Sequence, residues 1–404
     1  MALPLSYNIR NVFVRWRATL ATVLGVALVV AVFVLVQALA AGLEKSSRNT
    51  GDPRNVMVVR KGSTAESSSQ VTREQLRLML YWPEIAKSAA GSPLVSADVL
   101  VLISLPRLSN TNESHVLVRG ISPVGAEMRA EVEEGRDRKT GEPILRPQVT
   151  LIAGRWFTPG RREVVASGKL ARRFGGMNIG ETFKTAGHHL TVVGWLDGAN
   201  SAFDSEVWMD GDEARGVFDR ENYSSVLLRV PDEAALHSLT NRIETEKRLP
   251  LRAVQESAYY ASQTMTAMPI KILGYFLATA MSIGAVFAAM NTMYANVGTR
   301  TREIGTLRVL GFRRRTILFS FIVEGAFLSL LGGVLGCILA YPLHGYSTGT
   351  MSFESFSEVV FQFRITPVLV AKGLAFSVFV GIAGSLMPAL RASRLPVIAA
   401  LKAV

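Results

Sequence analysis

The fold of this chain is decided by an uncharged stretch, ILGYFLATAMSIGAVFAAMNTMYANVGT, which covers Ile272–Thr299. At a rise of ~1.5 Å per residue, a helix of this length exceeds the ~30 Å hydrocarbon core of a bilayer. Three further stretches of similar length contain at most one charged residue each: Ala18–Leu43, Thr316–Leu343 and Ile365–Leu390. The sequence therefore predicts an integral membrane protein with four transmembrane helices and excludes an ordinary soluble enzyme.

The positive charge of the chain is concentrated beside these helices. The net charge is +12, yet residues 44–270 contain 29 Lys and Arg against 28 Asp and Glu. Nearly all of the excess lies in residues 1–17, 299–315 and 391–404. Since excess Lys and Arg mark the cytoplasmic side, we expect both termini and the 299–315 loop in the cytoplasm, and residues 44–270 and 344–364 outside. The large domain is nearly neutral, so we expect no nucleic-acid binding.

The predicted segments follow the chain in nine parts. They are a cytoplasmic amphipathic helix (1–17), transmembrane helix 1 (18–43), an extracytoplasmic domain (44–270) with an inserted β module at about 107–215, transmembrane helix 2 with a stalk (271–298), a cytoplasmic loop (299–315), transmembrane helix 3 (316–343), a short outer loop (344–364), transmembrane helix 4 (365–390) and a cytoplasmic tail (391–404). The single cysteine, Cys337, lies in helix 3, so the extracytoplasmic domain must fold on its apolar core without a disulfide.

The extracytoplasmic domain alternates strands and helices in the manner of an α/β fold. Its first βαβ unit is formed by Asn55–Arg60, a helix at Thr72–Tyr81 with Thr72 as N-cap, and Pro93–Leu105. Its second unit is formed by Ser224–Val230, Asp232–Leu249 and Leu251–Gln255. We expect the two units to form one subdomain, which the mostly β module at about 107–215 interrupts.

The sequence contains no pattern that predicts a catalytic, nucleotide-binding or metal site. Gly175–Thr182 approaches a phosphate-binding loop, but Glu181 stands where the lysine is required and would repel phosphate. The five histidines have no zinc-ligand spacing, and no nucleophile motif is present. We therefore expect no catalytic residue, no metal and no cofactor in this chain.

The loop between the second and third predicted spans, RTREIGTLRVLGFRRR (Arg300–Arg315), has the pattern of a short amphipathic helix. Thr301 is a candidate N-cap, and Gly311 is a candidate C-terminal stop. An apolar stripe is formed by Ile304, Leu307 and Leu310 or Gly311. Such a helix suits a groove on another protein. The alternative is a basic turn that only satisfies the positive-inside rule.

The order of the elements, one span, a large extracytoplasmic domain and three more spans, resembles the MacB/FtsX-type permeases of ATP-binding-cassette (ABC) systems. RTREIGTLRVLGFRRRTILFSFIVEGAFLSLLGGVLG (Arg300–Gly336) is similar to the family's coupling helix and the glycine-rich span after it. Further similarities lie in RWRATLATVLGVALVVAVFVLV (Arg15–Val36), AGRWF (Ala153–Phe157), VVASGKLARRF (Val164–Phe174) and VVGWLDG (Val192–Gly198). The resemblance covers nearly the whole chain and is weakest at residues 61–150.

The resemblance implies a dimeric permease of the bacterial inner membrane that pairs with a cytoplasmic ABC ATPase. We expect that ATPase, with its ATP and Mg²⁺, on a separate chain, because residues 1–17 leave no room for it. ATP-driven movement would reach the outer domain, where a periplasmic adaptor is a further candidate partner. The residues implied to couple to the ATPase are Arg302, Glu303, Ile304, Gly305, Leu307, Arg308, Leu310 and Gly311.

The third predicted span contains small residues and one acid. Gly332, Gly333 and Gly336 would allow close helix packing, and the alternative is glycine that faces lipid by chance. Glu324 lies about nine residues into the span, where an acid normally faces a partner. Arginines of the preceding loop or polar groups of a second subunit are candidates, and the pair would be either structural or a moving relay.

Three functions compete. The first is a permease that exports or extracts a substrate, and the second is a regulator that activates a periplasmic cell-wall hydrolase without transport. The third is an adhesion or sensor protein that needs no ATPase, which an intact coupling-type helix argues against. The two-part outer domain with its inserted β module resembles exporters, and this favours the first function.

Overall fold

The computed structural model of the chain describes residues 16–108, 113–137, 143–263, 267–351 and 357–395. These residues form two compact units. The helical unit contains the described residues within Met1–Ala41, Pro269–Tyr346 and Phe363–Val404, and the sheet unit contains those within Gly42–Met268 and Ser347–Gln362. Most of the predicted helix at 1–17 and of the predicted tail at 391–404 lies outside the described residues.

The helices, in chain order, are α1 (Trp16–Arg48), α2 (Arg73–Met79), α3 (Pro123–Ala130), α4 (Gly168–Ala171), α5 (Gly211–Val217), α6 (Glu233–Thr245), α7 (Glu256–Ser262), α8 (Ala267–Thr299), α9 (Thr301–Val309), α10 (Arg314–Ala340) and α11 (Pro367–Arg394). The strands are β1 (Asn55–Arg60), β2 (Val95–Pro106), β3 (Glu113–Ile121), β4 (Glu131–Arg136), β5 (Pro143–Pro147), β6 (Thr150–Gly154), β7 (Glu163–Ser167), β8 (Thr182–Thr185), β9 (His188–Asp197), β10 (Glu206–Asp210), β11 (Ser225–Arg229), β12 (Leu251–Gln255), β13 (Ser347–Met351) and β14 (Glu358–Gln362). Short 3-10 turns lie at Glu66–Ser68, Ala202–Ser205 and Tyr341–Leu343.

Within the described part of the chain, four helices are long and apolar enough to cross a membrane. Their membrane-length segments are Leu20–Arg48, Ile272–Thr299, Arg314–Leu343 and Pro367–Arg394. α10 and α11 pack closely because small residues meet between them: Gly325 lies against Ser385, and Gly381 lies against Ser329. The predicted four-helix membrane architecture is confirmed.

The main sheet of the described residues has ten strands in the order β12-β1-β11-β2-β3-β10-β7-β9-β6, with β8 paired to β9. β1 lies between β11 and β12 and is antiparallel to both, and β11 lies between β1 and β2. The two predicted βαβ units are β1–α2–β2 and β11–α6–β12. In the sheet, a strand of each unit lies between the two strands of the other unit, as in a ferredoxin-like fold. The α/β prediction is confirmed, and Thr72 caps α2 by accepting from the amide of Gln75.

The inserted module is continuous with this sheet and not separate from it. β2 is twelve residues long, and its first four residues pair with β11 while Val99–Pro106 pair with β3. The sheet then continues through β10, β7, β9 and β6. The predicted start of the inserted module, at about residue 107, falls just after this shared strand. The alternation of side chains along a strand does not reveal which strands pair with it.

Residues 344–364, predicted as a short outer loop, contain a β-hairpin of β13 and β14. The hairpin belongs to the sheet unit. Val360 on β14 is 1% exposed and lies in the same apolar core as Val118 of β3 and Phe174. This segment is therefore a structural part of the sheet unit, although its length suggested only a connection.

Candidate functional site

The short helix α9 joins the membrane helices α8 and α10 and ends as the sequence predicts. Gly311 has a φ of +91°, a conformation that glycine adopts without a steric penalty. Its amide donates to the carbonyl of Arg308 at 3.2 Å, and the amide of Phe312 donates to the carbonyl of Leu307 at 3.1 Å. These two bonds form a Schellman motif, which fixes the C-terminus of the helix.

The N-terminus of α9 corrects one prediction. Arg300 is the N-cap, and the predicted cap, Thr301, is the first residue of the helix. The Thr301 hydroxyl donates to the carbonyl of Gly298 in α8 at 2.8 Å instead of capping α9. Because α8 ends at Thr299, directly before the cap, the turn between the two helices leaves Thr301 no role as a cap.

One face of α9 packs into the helical unit. Ile304 is 2% exposed and lies in an apolar cluster with Val297 of α8, Phe321 of α10 and Ala389 of α11. Gly305 is also buried. Ile304 and Gly305 therefore hold α9 in place within the helical unit. Their implied role in coupling to an ATPase stays a prediction.

The opposite face of α9 is exposed and mixes charge with apolar surface. The exposed residues of α9 are Arg302, Glu303, Thr306 and Val309, and those that follow it are Leu310, Gly311, Arg313 and, at the start of α10, Arg314 and Arg315. Val309 and Leu310 are 61% and 67% exposed, whereas Leu307 and Arg308 are half-buried. Val309 lies outside the predicted apolar stripe, and part of that stripe faces the core of the helical unit instead. The sequence signal for this exposed surface is Val309 itself, an apolar residue that lies outside the stripe.

A buried ion pair attaches the start of α9 to α10. The Arg300 Nη1 donates to Glu324 Oε2 at 2.9 Å, and both residues are 5% exposed. The Arg300 Nε also donates to Glu303 Oε2 at 3.2 Å, and the guanidinium lies 5.1 Å from the centre of the Phe321 ring. Of the candidate partners for Glu324, the structure places an arginine of the preceding loop beside it.

The three glycines of α10 lie at helix contacts. A Cβ on Gly332 would lie 2.8 Å from the carbonyl oxygen of Val23 in α1, and one on Gly336 would lie 2.6 Å from that of Ala27. Gly333 faces the opposite way, where a Cβ would collide with the Ser377 side chain of α11. The glycines therefore let α10 approach α1 and α11, and they are buried rather than exposed to lipid.

The sheet unit contains a buried charge cluster that no local sequence pattern predicts. Asp98 on β2 accepts from Arg119 Nη1 at 3.1 Å and from Arg129 Nη2 at 2.7 Å. Arg129 also donates to Glu256, the first residue of α7, at 3.2 Å, and Glu256 accepts from the backbone amide of Asp52 at 2.9 Å. The cluster thus connects the segments that follow α1 and precede α8 to the sheet.

Neighbouring carboxylates keep the buried Arg119 charged. Burial alone would lower the pKa of Arg119, but the carboxylates of Glu206 and Glu66 outweigh it and hold the pKa well above its ordinary value. The described residues contain no group of three or more His, Cys, Asp or Glu side chains that could hold a metal ion. The arrangement suits a rigid connection, in which every arginine is matched by carboxylates.

Two sequence profiles match this chain. The MacB-like periplasmic core domain matches residues 18–246, and the FtsX-like permease C-terminal domain matches residues 275–397. The chain belongs to the MacB/FtsX-type family of ABC transporter permeases. Both domains are permease domains and not catalytic ones, and the second match includes α9, α10 and α11.

Individual relatives of this permease agree with the profiles. The macrolide export ATP-binding/permease protein MacB of Brucella abortus (strain 2308) is 31% identical over 189 residues, which are 44% of this chain and 27% of the relative. The ABC transporter permease YknZ of Bacillus subtilis (strain 168) is 26% identical over 62% of this chain and 66% of its own length. The permease thus spans between about a quarter and two thirds of these relatives.

Among solved structures, the periplasmic region of MacB from Actinobacillus actinomycetemcomitans aligns with 52% of this chain and 92% of its own length. The sequence identity is 11% and the TM-score is 0.36.

Proposed function

We propose that this permease couples ATP hydrolysis by a separate cytoplasmic ABC ATPase to work at the periplasmic face of a bacterial inner membrane, where a substrate is exported or extracted. The observation that supports the proposal is the exposed face of α9. There Val309 and Leu310, both more than half exposed, follow the exposed charged residues Arg302 and Glu303 by two helical turns. Exposed apolar side chains rimmed by charge are typical of a protein–protein interface.

The attachment of α9 suits this helix to transmit force. Ile304 packs into the helical unit, Arg300 binds Glu324 of α10, and the Schellman motif at Gly311 fixes how the chain turns from α9 toward α10. Because α9 is held at its start and along one face, a partner that pushes on the exposed face moves α8 and α10 with it.

The remaining parts of the proposal follow from charge and family. The basic loop at 299–315 and the basic segments at both ends favour the cytoplasmic side for α9 and the periplasmic side for the sheet unit. ATP and Mg²⁺ are assigned to the partner ATPase, and a second copy of the permease completes the transporter. An export role is supported by the relative MacB, a macrolide export protein. A periplasmic adaptor is a further candidate partner.

The proposal is tested by replacing Leu310 with aspartate. Burial of one leucine at an interface contributes about 1.5–3 kcal/mol, so its loss should weaken ATPase binding about 10- to 150-fold. The tagged permease is captured from its native membrane, the co-purifying ATPase is identified by mass spectrometry, and its amount is compared between wild type and Leu310→Asp.

The matched control is Leu108→Asp, because Leu108 is a leucine of the sheet unit with 64% exposure. This variant should retain the ATPase at the wild-type level. If Leu310→Asp also retained it within about twofold while the control behaved as wild type, α9 would not be the docking element.

A further inference from the structure

The hairpin between α10 and α11 carries a buried carboxylate. Glu358, the first residue of β14, has a side chain that is 1% exposed. It accepts from Arg107 Nη2 at 2.6 Å and from the Ser114 hydroxyl at 2.8 Å, and it forms a second ion pair with Arg173. One glutamate is therefore held by two guanidinium groups and a hydroxyl that all belong to the β module. We call this arrangement the Glu358 clasp.

The receiving side of the Glu358 clasp is built by the backbone of the β module. The segments that carry the two arginines run side by side, because the amide of Leu108 donates to the carbonyl of Arg173 at 2.8 Å. The amide of Gly175 donates to the carbonyl of Pro106 at 3.2 Å, which fixes the same pairing from the other direction. These bonds hold the two arginines beside each other independently of the hairpin.

The hairpin is shaped to present Glu358 to these arginines. On the paired strand β13, a Cβ on Gly349 would collide with the Glu358 carboxylate and lie 2.8 Å from Nη2 of Arg173. Only glycine leaves room for the ion pair at this position. Val360, two residues after Glu358, is buried in the core of the module, and its amide donates to the Ser205 hydroxyl at 2.7 Å.

Short covalent connections join the hairpin of the Glu358 clasp to α10 and α11. Residues 344–346 separate β13 from the turn that ends α10, and residues 363–366 separate β14 from α11. Connections of three or four residues can extend only a short distance, so a shift of α10 or α11 displaces the hairpin directly. The hairpin cannot follow without either moving the β module or breaking a buried ion pair, and breaking it leaves charges without their partners.

We propose that Glu358 is a positioning residue of the coupling path, and that its clasp by Arg107 and Arg173 transmits movement of α10 and α11 to the β module. This inference rests on the proposed function, because the movement begins at α9. It adds a second route to the sheet unit beside the continuous chain that leads into it from α1 and out of it to α8.

The test follows the β module in the permease–ATPase complex in lipid nanodiscs. The only cysteine is removed by Cys337→Ser, and a spin label is placed on the exposed position Lys184→Cys of β8. The distance between the labels of the two permease copies is measured without nucleotide and after trapping with Mg-ATP and vanadate. The reference permease should show a nucleotide-dependent shift, and Glu358→Gln should lose at least half of it.

A second measurement separates this role from a loss of folding. Because hydrogen bonds to a charged group stabilise their surroundings strongly, Glu358→Gln should accelerate amide exchange in residues 358–362 at least about tenfold. The milder variant Arg173→Gln removes one of the two guanidinium groups and should show both effects to a smaller degree. The control Glu84→Gln breaks the more exposed ion pair to Arg242, at 3.0 Å, and should change neither measurement.

The outcomes distinguish this inference from the function on which it rests. If the reference permease shows the nucleotide-dependent shift and Glu358→Gln keeps it in full, the clasp does not transmit movement, while the proposed function stands. If the reference permease shows no shift although the ATPase is bound, the proposed function itself fails. A loss of the shift in Glu84→Gln equal to that in Glu358→Gln would also overturn the inference.

Discussion

The buried pair Arg300–Glu324 should behave very differently when it is broken on one side and when it is replaced as a whole. Glu324→Leu removes one partner of Arg300, which is 5% exposed in the wild-type structure and is also bonded to Glu303 at the surface. Removing one partner of a buried ion pair typically costs ~3–5 kcal/mol. The bond to Glu303 and the contact with the Phe321 ring offset part of this cost. We therefore expect a loss of about 2–3 kcal/mol.

The double replacement Arg300→Met with Glu324→Leu removes both charges and leaves apolar side chains of similar size. Buried ion pairs exchanged for apolar residues often lose nothing in stability, so the double variant should return to within about 1 kcal/mol of wild type. The free energy of unfolding is measured for all four proteins in mixed detergent micelles and is analysed as a double-mutant cycle.

The result that would refute this reasoning is additivity. If each single variant lost less than about 0.5 kcal/mol, or if the two losses simply summed in the double variant, the two side chains would not depend on each other. The same double variant also tests a relay role, because a purely structural pair leaves ATPase coupling intact once stability is restored. Coupling that stayed impaired at wild-type stability would identify the charges themselves as necessary for transmission.

Two further predictions concern helix packing and pH. Gly336→Ala should lower stability by about 1–3 kcal/mol in the same detergent assay, because its Cβ would lie 2.6 Å from the carbonyl oxygen of Ala27. Gly284→Ala in α8 meets open space and should change little; equal losses would contradict the packing argument. A hydrogen bond from Arg155 lowers the pKa of Glu163 to about 2, so this carboxylate stabilises the fold above its ordinary pKa of 4.5 and loses that effect as the pH falls toward 2. Glu163→Gln should therefore lower the melting temperature at neutral pH, and the difference from wild type should shrink on acidification; a pH-independent difference would exclude this role.

Much of the fold was predictable because its signals are local. Four long stretches with at most one charged residue each predict the spans, since each needs only its own hydrophobicity to favour the bilayer. Gly311 marks the end of α9 because the positive φ required there depends on one residue. The pairing of the strands was not predictable in the same way. The sequence of β2 shows a single apolar strand, although its first part pairs with β11 and the rest pairs with β3.

At the candidate site, too, the local structure was predictable and the tertiary contacts were not. The sequence predicts a short amphipathic helix between two spans, but it does not decide which face points inward. Ile304 and Leu310 are both apolar, and only the neighbours supplied by α8, α10 and α11 bury the first and leave the second exposed.

The sequence by itself determined the membrane architecture, the α/β class of the large unit and the family, because these depend on composition and on patterns within single segments. Only the tertiary structure decided that Arg300 pairs with Glu324 and that Glu358 is held by Arg107 across 251 residues of chain. Ion pairs between distant segments depend on where the folded backbone brings the charges together. Because burying a charge without a partner costs several kcal/mol, each buried charge requires its own partner.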